Sequence, residues 1–348
     1  MIGYIVRRFL SGLVLVFALT WITFALFWLV PAQPWRALLP SYQYPNPTPA
    51  QIQAANHKLG VDRPVIVQYG KYVWHLARHL DFGKSYYGYD VTQYLKTALP
   101  VTGSIVLGGA VLLFLLAVPL GTLSALRENT WVDRTILTVS ILGVALHPFI
   151  IGIGLQGLFS SKLHWLPKGY YCPLHAPPQV SSLAPKPCGG PADWAAHLTL
   201  PWIVFAVIFL PLYLRIIRAQ VITVLDEQYV TAARAKGAST LRVMRSHVLR
   251  NALLQPITMI GMEIGLAITV SIYLETIFSL GGVGRLAIGA LGFGVGGEGD
   301  RFDLPILAGV VFTIAFAIIV LNLLVDLLYA ALDPRARVVG TPTVQPAY

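Results

Sequence analysis

Six long apolar runs, separated by polar, proline-rich or glycine-rich segments, set the plan of this chain. They cover residues 9–30, 101–123, 136–159, 200–217, 257–280 and 305–328. About 20 apolar residues at about 1.5 Å each cross the ~30 Å hydrocarbon layer of a bilayer. The pattern therefore predicts an all-α integral membrane protein with six transmembrane helices. The fourth run is short and broken by Pro211. Pro119, Pro148 and Pro211 lie inside apolar runs and predict kinks, whose freed carbonyls neighbouring helices must satisfy.

The segments between the runs are equally patterned. Pro31, Pro34, Pro40, Pro45, Pro47 and Pro49 stop the first helix. A polar helical stretch over 50–59 follows. In the next stretch Val67, Tyr72, Trp74, Leu76 and Leu80 alternate with Lys and Arg, as in a helix lying at headgroup level. The segment 226–256, DEQYVTAARAKGASTLRVMRSHVLRNALLQP, is basic and helix-forming between two apolar runs. The loop over 281–300 is rich in glycine, which leaves its backbone permissive.

Composition agrees with a lipid solvent. The chain is 56% hydrophobic and only 11% charged, against about 25% charge in a soluble domain. Its apolar start follows Arg7 and Arg8 but runs for 22 residues, beyond the roughly 7–15 of a cleavable signal, so an uncleaved first helix is expected. With the N-terminus inside, the inner segments carry thirteen Lys and Arg, seven of them between Arg215 and Arg250. Lys162, Lys168, Lys186, Arg285 and Arg301 lie opposite. The first outer segment carries seven more, but it is long enough to cross regardless of charge. Both termini inside is the consistent solution. The net charge of +10 then reflects basic inner loops beside anionic lipid and calls for no nucleic acid.

Cys172 and Cys188 are the only cysteines, 16 residues apart in the second outer loop. A bridge and two unpaired thiols both stand at this point; closing the loop is worth about 3 kcal/mol in the chain-entropy model.

Within 226–256, Asp226 is the expected N-cap, with Glu227 in the first turn. Ala232, Ala233 and Ala235 give small faces, and Gly237 ends the helix as its C′ residue. Ser239 or Thr240 then caps a second helix to Leu254. A short inner helix tied to two spans can carry force into the membrane. On these grounds alone it stands beside an ordinary positive-inside loop.

The ordered set YIVRRFL, LGVDRPVIVQY, DFGKS, LPVTGSI, LHWLP, HLTLP, YVTAARAKGAS…HVLRNALL, ETIFSLGGVGRL and NLLVDLLYAALDPR runs nearly the whole chain. It resembles the permease subunits of ATP-binding-cassette importers, in the oligopeptide/dipeptide/nickel family. The resemblance implies the type I importer permease fold in a bacterial inner membrane. It also implies a second, similar permease, two cytoplasmic ATPase subunits that use ATP and Mg, an external binding protein, and peptide cargo. In that family AARAKG is the coupling segment docked in the ATPase. This assigns coupling to Ala232, Ala233, Arg234, Ala235, Lys236 and Gly237, with Thr231 where the general pattern has Glu. Glu275, Thr276, Ile277, Phe278, Ser279, Gly281, Gly282 and Gly284 match the signature near the translocation path. The divisions that follow are a first helix over 1–30, an outer segment over 31–100, and a five-helix core over 101–332. The core carries the coupling loop 218–256 and the outer insert 161–198; an inner tail covers 333–348.

The chain departs from the family at Pro31-Ala32-Gln33-Pro34, in the long loop 170–194, in the glycine-rich 292–299 and at Pro256. GxGxxG occurs at 152–157 and 294–299, without the strand–turn–helix context that nucleotide binding needs. No GxxxxGK[ST] occurs, so no ATP site and no enzyme activity of its own are expected. His147, Glu263 and Asp326 are ionisable residues within spans, too scattered for the facing cluster of a proton-coupled carrier. His75 and His79 share a helical spacing on a basic helix, and no metal-ligand cluster stands out. The competing readings are an importer of nickel or another small solute, and a secondary transporter without ATPase subunits.

Overall fold

The computed structural model describes residues 2–26, 35, 38–39, 44, 46–175, 188–292 and 302–332. The departures at 31–34 and 293–299, the second GxGxxG and the tail 333–348 lie outside them. Among the described residues the structure is helical, with a single isolated bridge between Lys84 and Asp90. The helices are α1 (Ile2–Phe24), α2 (Pro49–Leu59), α3 (Val65–His79), α4 (Val91–Leu126), α5 (Trp131–Ala145) and α6 (Pro148–Leu155). They continue as α7 (Pro191–Leu225), α8 (Gln228–Ala235), α9 (Thr240–Val243), α10 (Leu249–Ala252), α11 (Leu254–Ile277), α12 (Val283–Ala290) and α13 (Leu304–Leu332). π-helical turns follow α6 (Gln156–Lys162) and α9 (Met244–Val248).

Four helices are long and apolar enough to cross a membrane, and the number becomes six if each of two bent pairs is one span. Those pairs are Trp131–Gly143 with Pro148–Lys162, bent by 96°, and Thr240–Ile260 with Glu263–Ile277, bent by 64°. The helices differ from the apolar runs in instructive ways. α4 starts ten residues before the run at 101 and passes Pro119 unbroken. α7 has 35 residues and contains both Pro201 and Pro211, so the fourth span is neither short nor broken. Apolar runs mark the lipid layer, whereas the helices continue through their polar ends. At Pro148 the expected kink is a full break, with Leu146 and His147 extended.

The chain divides into two compact units. The first holds residues 1–9, 104–278 and 320–348. Its centre is α7, against which α5, α6, α10 and α11 pack. Contact with α4 depends on glycine. A Cβ at Gly109 would lie 2.6 Å from the Phe205 ring, and one at Gly121 2.9 Å from Ile217. Small residues let helix backbones approach closely where lipid offers no hydrophobic drive to associate. Trp202 Nε1 donates to the Ser104 carbonyl at 2.9 Å, completing the seam.

Asp133, at the start of α5, is buried, and Arg218 of α7 grips it bidentately. Nε donates to Oδ1 and Nη2 to Oδ2, each at 2.8 Å. The Ser124 hydroxyl and the Asn129 amide also donate to this carboxylate. Arg8 of α1 pairs with Asp326 of α13 at 2.9 Å, so Asp326 is held by a partner.

The second unit holds residues 10–103 and 279–319. Thr48 caps α2 in a capping box with Gln51, Pro49 opens the helix, and Gly60 closes it in the left-handed region. α3 lays Tyr69 and Tyr72 against Phe24 of α1, with Phe17 and Trp21 also touching Tyr69. Thr20 and Tyr69 share a hydrogen bond of 2.8 Å. Ile66 and Trp74 of α3 remain exposed. A small core joins Val91, Leu95 and Ala98 of α4 to Val283 and Ala290 of α12 and Val310 of α13.

Buried Asp303 ties this core together. It accepts from the Ser85 hydroxyl and from the Ile306 amide at the start of α13. Burial pushes its carboxyl above the usual range, against the opposing pull of those hydrogen bonds. A raised carboxyl contributes stability at pH below its unfolded value, which is lost as pH rises through the folded value. Asp303→Asn keeps the acceptor without the charge. Thermal unfolding of the detergent-purified protein should show a shallower loss of stability with rising pH, across and just above the carboxylate range, than the unmodified protein. An unchanged slope would remove Asp303 as the cause.

Candidate functional site

Two constructions in the first unit carry the residues singled out by sequence. The first is the 226–256 segment. Asp226 is the last cap of α7, and Glu227 takes the N-cap of α8, with φ −68° and ψ 140°. The expected cap at Asp226 is thus one residue early, because α7 runs on to Leu225. α8 ends as the sequence implies. Gly237 has φ +84°, its amide donates to the Arg234 carbonyl at 2.9 Å, and the Ala238 amide donates to the Ala233 carbonyl at 3.2 Å. These are the two bonds of a Schellman motif, which requires a left-handed C′ residue.

Burial shows how α8 is mounted. Val230 is fully buried, as are Val248 and Ala252 farther on, and Val243 nearly so. Asn251 donates to the Tyr229 hydroxyl at 2.7 Å. Ala232, Arg234, Ala235, Lys236 and Gly237 are exposed and Ala233 half-buried. A short helix is therefore fixed from below and presents a face of small and basic residues. The second helix expected to reach Leu254 is interrupted by the Met244–Val248 π turn and by Leu253. That turn seats Met244 and Val248 inward.

The second construction is a clamp around the end of α11. Phe278 caps α11 and is buried, with Glu275 completely buried one turn earlier. Ile277 packs against Gly152. The Tyr170 amide donates to the Phe278 carbonyl at 3.0 Å. A Cβ on Gly169 would fall well inside contact distance of that same carbonyl oxygen. His197 Nδ1 lies 2.7 Å from the Gly169 carbonyl and 2.9 Å from that of Tyr170, and so donates to them. The Ser160 hydroxyl donates to the Pro167 carbonyl at 2.9 Å. Cys172 and Cys188 are bridged, with Cα atoms 5.6 Å apart, both buried. Among the described residues, Cys172, Cys188 and His197 are the group close enough together to hold a metal. The bridge leaves no thiolate, and His197 Nδ1 is spent on carbonyls.

The signature residues beyond Phe278 belong to the second unit. Ser279 has φ +52°, Gly282 is the N-cap of α12, and Gly284 is buried. Thr276 is exposed on α11. Asp133, Arg218, Asp303 and His197 carry much of the polar architecture, yet the residue pattern alone singles out none of them. Their one signal is a polar side chain bordering an apolar run.

Residues 117–338 match the family described as binding-protein-dependent transport system inner membrane component. The chain belongs to that family. Residues 1–105 match the corresponding N-terminal family of these membrane components. A putative peptide transport system permease protein from Brucella abortus (strain 2308) is 30% identical over 342 residues, 97% of this chain and 99% of its own. The di/tripeptide transport system permease protein DppB of Pseudomonas aeruginosa (strain UCBPP-PA14) is 32% identical over 345 residues, again 97% and 99%. Among solved structures, a chain of the inward-facing methionine ABC transporter MetNI shares the fold. Its TM-score is 0.52 at 13% identity, over 69% of this chain and 97% of that one. This inner membrane component is thus a multi-pass transport subunit of the ABC importer permease fold.

Proposed function

We propose that this chain is the membrane-spanning permease of an ATP-driven importer. With a second, homologous permease it forms the path for peptides delivered by an external binding protein. Two cytoplasmic ATPase subunits bind and hydrolyse ATP with Mg. The chain sits in the bacterial inner membrane with both termini cytoplasmic, placing 31–100 and 161–198 outside and 218–256 inside. The relatives named for peptide transport support the cargo.

The observation that carries the mechanism is the mounting of α8, rigidly held through Val230 at the end of α7 with its small face exposed. Ala232, Ala233, Arg234, Ala235, Lys236 and Gly237 dock on the ATPase. An importer alternates between inward- and outward-facing states, and ATP-driven closure favours one only through contacts that differ between them. Moving the populations from 1:99 to 99:1 takes about 5.5 kcal/mol of such difference. α8 is where this enters. Glu275, Thr276, Phe278, Ser279, Gly282 and Gly284 shape the path at the other end of the membrane.

The test is peptide-stimulated ATPase activity of the reconstituted complex with Gly237→Asp. A Cβ at this position meets no atom within 4 Å, and Asp tolerates the left-handed region better than most residues. Folding and co-purification should persist while stimulation falls to the basal rate. Full coupling in the variant, or solute movement with no ATPase present, would overturn the reading.

A further inference from the structure

The exposed faces of the spans are not alike. α4 presents Leu107 at 65%, Val111 at 61% and Leu115 at 64% exposure, an unbroken apolar stripe suited to lipid. The second half of α11 presents Leu266, Thr269, Tyr273 and Thr276 at helical spacing, while Ile264, Ala267, Ile268, Val270, Ser271, Leu274 and Glu275 are buried behind them. This largely hydroxyl-bearing stripe therefore faces away from this chain's own core.

A separate irregularity meets that stripe. The 96° break between α5 and α6 leaves Leu146 48% exposed and His147 exposed, with apolar residues on both sides. The His147 ring lies 5.4 Å from the Tyr273 ring at 77°, and Phe149 contacts both. His147 Nδ1 accepts from the Phe149 amide at 3.3 Å. Among the described residues neither His147 Nε2 nor the Tyr273 hydroxyl has a hydrogen-bond partner. Irregular backbone and ionisable groups at membrane depth persist only inside protein or along water, and here this chain does not bury them.

We propose that Thr269, Tyr273, Thr276 and His147 line the aqueous path, where His147 Nε2 and the Tyr273 hydroxyl contact passing cargo. This rests on the importer reading. These four residues offer hydrogen-bonding groups but no carboxylate and no Lys or Arg, with Leu266 exposed beside them. That suits the amide backbone common to all peptides and ignores their side-chain charge. The Thr269 and Thr276 hydroxyls donate to Gly265 and Ile272 carbonyls at 3.0 and 2.9 Å, which leaves their oxygens free to accept.

Because both native cysteines are bridged, single cysteines can be labelled cleanly. Thr269→Cys, Tyr273→Cys, His147→Cys and the control Val111→Cys would be made in the full reconstituted complex. Each would be treated with the charged reagent MTSET, nucleotide-free and again after vanadate trapping. The three path positions should react in one state and about tenfold slower in the other, as a state shift demands; Val111→Cys should stay unlabelled. Thr269→Cys is close to isosteric, so it reports even where His147→Cys does not assemble. No labelling in either state would mean a lipid or permease–permease surface, and equal rates an interfacial anchor; either overturns the proposal. Trialanine with the binding protein should slow labelling further. Loss of trialanine-stimulated ATPase with the labelling switch intact would instead remove peptides as cargo and leave the path assignment standing.

Discussion

Replacing Arg218 by Met should destabilise the first unit by about 3–5 kcal/mol, the usual cost of stranding one member of a buried ion pair. Asp133 is almost fully buried and takes both arms of the guanidinium. Removing Arg218 leaves a carboxylate with only Ser124 and Asn129 donating to it. Glu128, 3.6 Å from Arg218 in the folded chain, then adds an unopposed like charge nearby. The loss is of a partner, so it is reversible by removing the other partner. In Arg218→Met/Asp133→Leu, the stranded charge is gone and most of the stability should return, since apolar replacement of a buried pair is often close to neutral. Thermal unfolding of the detergent-purified complex, run as a double-mutant cycle, measures this. A single variant within about 0.5 kcal/mol of the unmodified protein, typical of surface sites, would show the pair to be solvated and dispensable.

Gly169→Ala should open the clamp over α11. The new methyl would meet the Phe278 carbonyl, a backbone atom that cannot swing away. Either the loop lifts or the end of α11 shifts, and in both cases the Tyr170–Phe278 hydrogen bond is lost. Tyr170 itself has φ +68°, an uncommon conformation that persists only while its surroundings enforce it. Losing the bond and the restraint together costs about 2 kcal/mol or more. Hydrogen exchange at the Tyr170 amide should accelerate about 30-fold for each 2 kcal/mol lost. The bridge between Cys172 and Cys188 should survive, since it joins the loop elsewhere. Unaltered exchange at Tyr170 would mean that the loop does not depend on this contact.

Much of the helical plan is written locally. Thr48-Pro49 with Gln51 opens α2, Gly60 closes it, and Gly237 closes α8, because caps involve residues only a few positions apart. The apolar runs locate the spans for the same reason. What local pattern does not encode is pairing. Asp133 and Arg218 are 85 residues apart and Ser85 and Asp303 218 apart, and nothing at either position names its partner. The extra length of α4 and α7 was hidden because polar residues continue a helix without extending its apolar run. Pro148 announced a bend but not its size. The break owes as much to extended Leu146 and His147 as to the proline. Of the candidate site, the positions of α8 and of the α11 terminus were readable. The clamp formed by Gly169, Tyr170 and His197 was not, since it is built from backbone carbonyls that any sequence supplies.

α7 is one unbroken helix of 35 residues, about 52 Å at 1.5 Å per residue. Near one end His197 holds the clamp, and directly beyond the other stands α8. Beside it, α5 and α6 part at the bend over 143–148, and α11 bends at 260–263. Mechanically, α7 is a continuous strut, carrying Pro201 and Pro211, flanked by two bent ones. A push arriving at the α8 end has one continuous helix to travel along toward the His197 clamp. Along its neighbours the same push is taken up as rotation at the bends.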